Sequence, residues 1–192
     1  TISKKEGERL KTIIAQSDPY LTTHIIEQKD LLADFSSRGP VTSTWDIKPD
    51  VVAPGVAINS TIPGGYLALQ GTSMASPHVA GACAIIKQAH PDWTPQQIKG
   101  ALMNTAKPIV DERGRPYRTY EQGAGRIQIE DAIKAEFITT PASLQFGQFK
   151  LADRLHEHTQ YITIENMGEH EKSFSFKIPK NEQGIEWHFP QS

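Results

Sequence analysis

The chain holds a single cysteine, Cys83, among 192 residues. That excludes an internal disulfide framework, but it leaves the compartment open, because secreted proteins need not use disulfides. Its expected role is that of a buried small hydrophobe rather than a reactive thiol. Charge of one sign is also lacking: 20 Lys and Arg against 22 Asp and Glu leave a formal net charge of −2. No large field exists to recruit nucleic acid or an anionic membrane. The longest apolar run, Val79 to Ile86, is too short and too rich in Gly and Ala to span a bilayer. No spacing of His, Cys, Asp or Glu resembles a ligand set, so neither metal nor cofactor is expected, and there is no internal repeat. The chain opens Thr1-Ile2-Ser3, without an initiator methionine or a signal-like segment, as expected of a mature product or a piece of something longer.

What is present is a globular profile, 38% apolar and 22% charged, long enough for one domain or for pieces of two or three. Ser3-Lys4-Lys5-Glu6 is a capping box, and Leu10, Ile13 and Ile14 follow at helical spacing, predicting an amphipathic helix over 4–16. Residues 20–28, YLTTHIIEQ, are strand-like. From Ala33 to Gly65 the composition turns to Gly, Pro and Ser. Asp50 to Ala53 predicts one short buried strand stopped by Pro54-Gly55, and the rest is expected to be loop.

Residues 73–89 are small and apolar on nearly every face, which predicts a buried central helix. Thr94-Pro95-Gln96-Gln97 opens the next helix with a capping box and a proline at its first position; Ile98, Ala101, Leu102 and Thr105 form its inner stripe. A third helix is expected over Ile129 to Ala135. Near Phe137 the pattern changes to alternating runs with turn signals between them, an all-β reading at sandwich-like spacing, and a domain boundary is placed there.

The segment of chemical interest is LQGTSMASPHVAGA, 69–82. Gly71 permits a tight turn and a helix begins at or just after Ser73. A hydroxyl there lies beside unpaired N–H groups at the positive end of the helix dipole, where an oxyanion can be held. On Gly-Thr-Ser alone, an N-cap role for Thr72 or Ser73 is the simpler explanation. His78 is no base for Ser73. Five residues along a helix separate the two side chains by about 140° and about 7.5 Å of rise.

The longer string Gly71-Thr72-Ser73-Met74-Ala75-Ser76-Pro77-His78-Val79-Ala80-Gly81 closely resembles the nucleophile motif of the subtilisin-like serine peptidases. Phe35-Ser36-Ser37-Arg38-Gly39-Pro40 and Lys48-Pro49-Asp50-Val51-Val52-Ala53-Pro54-Gly55 resemble two upstream landmarks of that family. HPDWTPQQIKGALMNTA and GAGRIQIEDAI resemble its following helices and closing segment. The resemblance covers residues 30–136. It implies an α/β fold, the C-terminal, serine-bearing portion of a parallel-sheet sandwich, over 18–136. Residues 1–17 resemble the tail of an inserted protease-associated domain, and 137–192 the start of a fibronectin-III-like β domain. This layout is similar to that of the large cell-surface or minor extracellular subtilases of Gram-positive bacteria, and plant subtilases are built similarly.

The resemblance implies Ser73 as catalytic nucleophile, with Gly71, Thr72, Ser73 and Met74 lining the oxyanion and substrate cleft, and Pro77 and His78 structural, the histidine buried and hydrogen-bonded. Family members carry Asp, His and Ser in that order. Only His24 precedes Ser73, outside any such motif, and no segment resembles the aspartate motif, the histidine motif or the oxyanion-hole asparagine. His90, His156, His158, His170 and His188 are expected to be surface or structural, and Arg38 and Asp50 to serve loop structure. The usual calcium segments of the family are mostly absent. The reading is therefore the nucleophile-bearing part of a secreted or cell-surface serine endopeptidase. It acts on protein or peptide substrates, pairs with the rest of its own polypeptide, and is inactive by itself. The alternative is a non-catalytic pseudoprotease that binds substrate or cell wall.

Overall fold

The computed structural model describes residues 3–16, 30–148, 158–177 and 186–188. The strand expected over 20–28, with His24, and also His156, lie outside the described residues.

Helix α1, Lys4–Gln16, starts from the expected capping box. The Glu6 N–H donates to Ser3 Oγ at 3.3 Å, and the Ser3 N–H donates to the Glu6 carboxylate at 2.9 Å. No residue of α1 is buried; Ile14 is 61% exposed. The amphipathic stripe is present and is exposed along its length.

The stretch expected to be loop holds a hairpin instead. Strands β1, Ile58–Ile62, and β2, Gly65–Leu69, pair antiparallel with Ile58 opposite Leu69 and Ile62 opposite Gly65. Pro63 and Gly64 make a two-residue turn, with Gly64 at φ +89°. Apart from Ile58 the hairpin is exposed, so it forms through its turn and ladder and not through a core. The expected strand over Asp50 to Ala53 shrinks to an isolated parallel bridge between Val52 and Arg126.

Helix α2, Thr72–Ala89, runs as expected but is not buried all round: only Ala82 and Ile86 are enclosed, while Ile85 is 46% exposed. One face meets α3, Pro95–Asn104, and α5, Ile129–Ile133, which is two residues shorter than expected. The opposite face has no partner element among the described residues. α4, Thr119–Gln122, is a single turn whose Gln122 is buried; its amide accepts from the Ile109 N–H at 2.7 Å and donates to the Tyr117 carbonyl at 2.6 Å.

The core gathers Ala82 and Ile86 from α2, Trp93, Ile98, Ala101 and Leu102 on and before α3, Ala132 from α5, and Ile138. Ile138 belongs to β3, Phe137–Thr140, which pairs antiparallel with β4, Thr163–Asn166. Asn104 joins β3 to α3, accepting from the Thr139 N–H at 2.9 Å and donating to Thr139 Oγ1 at 2.8 Å. Gln97 donates to Glu165 at 2.7 Å, adding β4 to the same helix. The β segment thus starts where the composition changes, and its first strand completes the core of the helices. The two sheets of the described residues are both antiparallel pairs, and the mixture of helices and strands fits the α/β class.

Candidate active site

Three glycine-bearing segments position Ser73. The first is its own turn. Gly71 is the N-cap of α2, with φ +150°, a region closed to most side chains, and no side chain caps the helix. Neither Thr72 nor Ser73 therefore acts as the cap. Ser73 is the second helical residue, and its side chain is exposed. Among the described residues its hydroxyl and its backbone N–H have no hydrogen-bond partner, whereas the Met74 N–H already reaches the Gly71 carbonyl at 3.0 Å. A hydroxyl and a free amide on one residue at a helix N-terminus form the minimum for attack on a carbonyl and stabilisation of the oxygen that becomes charged. The Met74 sulfur lies 3.7 Å from where a Gly71 Cβ would stand, so the thioether lies against this turn.

The second segment is a strap, residues 48–55. Asp50 is paired with Lys48 at 2.6 Å and with Lys99 of α3 at 3.0 Å. Partial burial raises its pKa, but the hydrogen bonds and charges of the two lysines outweigh this and hold the carboxyl below its ordinary value. The strap ends at Gly55, whose carbonyl accepts from the Gly71 N–H at 2.8 Å.

The third segment, residues 123–127, grips the strap from its other side. The Ala124 N–H donates to the Asp50 carbonyl at 2.9 Å, the Val52 N–H to the Gly125 carbonyl at 2.9 Å, and the Ile127 N–H to the Val52 carbonyl at 3.1 Å. Gly123, at φ +61°, leaves the room that the Pro49 and Asp50 carbonyls occupy.

His78 departs from expectation in one respect: it is exposed, not buried, because the face of α2 that carries it is uncovered. Its Nδ1 lies 2.7 Å from the Met74 carbonyl on its own helix. A carbonyl only accepts, so Nδ1 carries the proton and the ring is turned back along the helix. His78 instead borders an open cleft of about 450 Å³ with Pro54, Lys107, Arg126, Gln128 and Asp131. His90 serves structure, with Nε2 at 2.8 Å from the Ile133 carbonyl and its ring stacked on Trp93 at 3.8 Å. Arg38 pairs with Glu121 at 3.6 Å. Burial pushes the Cys83 thiol up, away from a reactive thiolate. Among the described residues no group of His, Cys, Asp and Glu could hold a metal ion, and no helix is long and apolar enough to cross a membrane.

Gly55 and Gly123 received no site role from the sequence. Their signal was present, a glycine directly after an apolar run and one opening Gly-Ala-Gly, but which backbone each would admit is decided only by the fold.

Ser73 thus stands exposed at the N-terminus of a long helix, directly behind a positive-φ glycine and a threonine. The family model for the subtilase family matches residues 11–125. The chain belongs to the subtilase family. The minor extracellular protease Vpr of Bacillus subtilis is 44% identical over 96% of this chain and 24% of its own length. The subtilisin-like protease SBT1.3 of Arabidopsis thaliana is 38% identical over 66% of this chain and 20% of its own. The solved CspB protease of Clostridium perfringens shares 36% identity over 50% of this chain and 22% of its own, with a TM-score of 0.43. The chain thus spans about a quarter or less of the length of these relatives.

Proposed function

We propose that this chain is the nucleophile-bearing part of a secreted serine endopeptidase. Ser73 attacks the peptide carbonyl and forms an acyl-enzyme, while its own N–H donates to the oxyanion. The observation that carries this reading is the exposed Ser73 hydroxyl beside a Ser73 N–H that has no partner among the described residues, in a chain of the subtilase family. Gly71, Thr72 and Met74 line the cleft, and the histidine base, its aspartate partner and a side-chain oxyanion donor come from polypeptide outside these 192 residues. His78 takes no part, since its ring is turned to Met74. The similarity to a relative described as extracellular supports the secreted reading. Residues 1–17 are assigned to the tail of an inserted protease-associated domain, 18–136 to the catalytic domain and 137–192 to the start of a fibronectin-III-like domain. Substrates are proteins or peptides.

The test uses two proteins. The full-length polypeptide should be phosphonylated at Ser73 by a fluorophosphonate, with loss of fluoride, and lose both labelling and peptide hydrolysis in Ser73→Ala. The 192-residue chain alone should hydrolyse nothing above its Ser73→Ala control. Removing the base of such a triad costs on the order of 10⁶ in turnover, a magnitude measured on a subtilisin and borrowed here. Full-length protein that binds peptides without Ser73 labelling points to the pseudoprotease instead. Ser73-dependent hydrolysis by the short chain shows that its partners are within it.

A further inference from the structure

We infer that Gly55 is a positioning residue for the nucleophile, setting where the N-terminus of α2 stands through backbone contact with Gly71. The inference rests on Ser73 being the nucleophile. Gly55 touches both sides of Gly71. Its carbonyl accepts the Gly71 N–H at 2.8 Å, and a Cβ on Gly55 would stand 2.8 Å from the Gly71 carbonyl oxygen and 3.3 Å from the Ala75 Cβ. That same carbonyl opens the helix, accepting from Met74 and Ala75. Pushing it therefore moves the first turn, and with it the Ser73 hydroxyl and N–H.

Gly55 does not have a positive φ, so alanine fits its backbone conformation. What the position demands is the absence of a side chain. The strap has little freedom to retreat from an added methyl. Lys99 of α3 holds it at Asp50, and hydrogen bonds with residues 124–127 hold it at Asp50 and Val52. The displacement therefore falls on Gly71. Ordinary van der Waals contact begins at 3.4 Å, so the carbonyl must give by about 0.6 Å. A misplacement of about 1 Å at a reacting group costs on the order of 10²-fold, which makes about tenfold the expected loss here.

The experiment measures the rate of phosphonylation by a fluorophosphonate, KM and kcat on a peptide, and the unfolding midpoint in the full-length protein. It compares the parent with Ser73→Ala, Gly55→Ala, Ala75→Gly and the double variant Gly55→Ala/Ala75→Gly. Gly168→Ala, where an added Cβ meets nothing closer than 3.6 Å, is the control. Gly55→Ala should slow phosphonylation and lower kcat about tenfold with KM little changed. The double variant should recover part of that loss, because removing the Ala75 methyl gives the new one room. If Gly55→Ala does not fold, the double variant is compared with Ala75→Gly and should be phosphonylated more slowly. Phosphonylation at the parent rate in folded Gly55→Ala, or at the Ala75→Gly rate in the double variant, overturns the inference while leaving Ser73 as nucleophile. Labelling that persists in Ser73→Ala overturns the nucleophile assignment itself.

Discussion

Met74 turns its thioether onto Gly71, next to the proposed nucleophile. Oxidation adds a polar oxygen to that sulfur and crowds the space in which a tetrahedral intermediate forms. Peroxide should therefore remove most turnover of the full-length enzyme without unfolding it, and Met74→Ala should resist. Met103 is 9% exposed and Met167 packs against the core, so both serve as internal references. Residual activity against peroxide dose, with peptide mapping of each methionine, checks this; loss that tracks Met103 or Met167 contradicts it. Asp50 sets a second expectation. Its carboxyl is held below the ordinary value by Lys48 and Lys99, against the opposing effect of burial. A depressed folded-state pKa contributes stability above the unfolded value, and that contribution is lost as pH falls through the folded one. Asp50→Asn should thus destabilise the protein near neutrality, and the gap to the parent should narrow below about pH 4. Denaturant midpoints of both proteins across that range decide it, and a constant gap contradicts the pairing.

At the scale of elements, helix α3 is specified most completely by its own sequence. The Gln97 N–H donates to Thr94 Oγ1 at 3.2 Å, and the Thr94 N–H donates to the Gln97 side chain at 2.8 Å. Thr94→Ala should cost about 1 kcal/mol in denaturant unfolding, whereas Thr94→Ser should cost little. Equal losses in both would show that the threonine methyl, not the cap, matters. The first helix was equally readable, from the reciprocal bonds of Ser3 and Glu6. The hairpin is hidden in the sequence, although Pro63-Gly64 lies between INSTI and GYLAL, because the Gly, Pro and Ser content around it is that of a loop. The strand expected at Asp50 to Ala53 failed for the opposite reason. Apolar residues specify burial, but a strand needs a neighbour along its length, and Val52 finds one only at Arg126.

For the whole molecule the consequence is uncovered apolar surface. The free side of α2 and the hairpin expose Ile85, Tyr66, Leu67 and Leu69, the tyrosine at 72%. The 192-residue chain in isolation should therefore self-associate or bind a hydrophobic dye. Sedimentation and dye fluorescence measure this, and a monomer that binds no dye contradicts it. Periodicity, capping residues and the Gly71 to Gly81 string determined by themselves where α1, α3 and α5 start, which serine is singled out and which family the chain belongs to. These are short-range properties, set by neighbours within a turn or two and by side-chain chemistry. Only the tertiary structure decided that Gly55 abuts Gly71, that Gly123 admits two carbonyls, that Ile138 closes the helical core and that His78 faces solvent. Each of these depends on which distant backbone arrives at a given point and on which face of α2 is left bare. That is a matter of packing between segments tens of residues apart, to which the local pattern of side chains is blind.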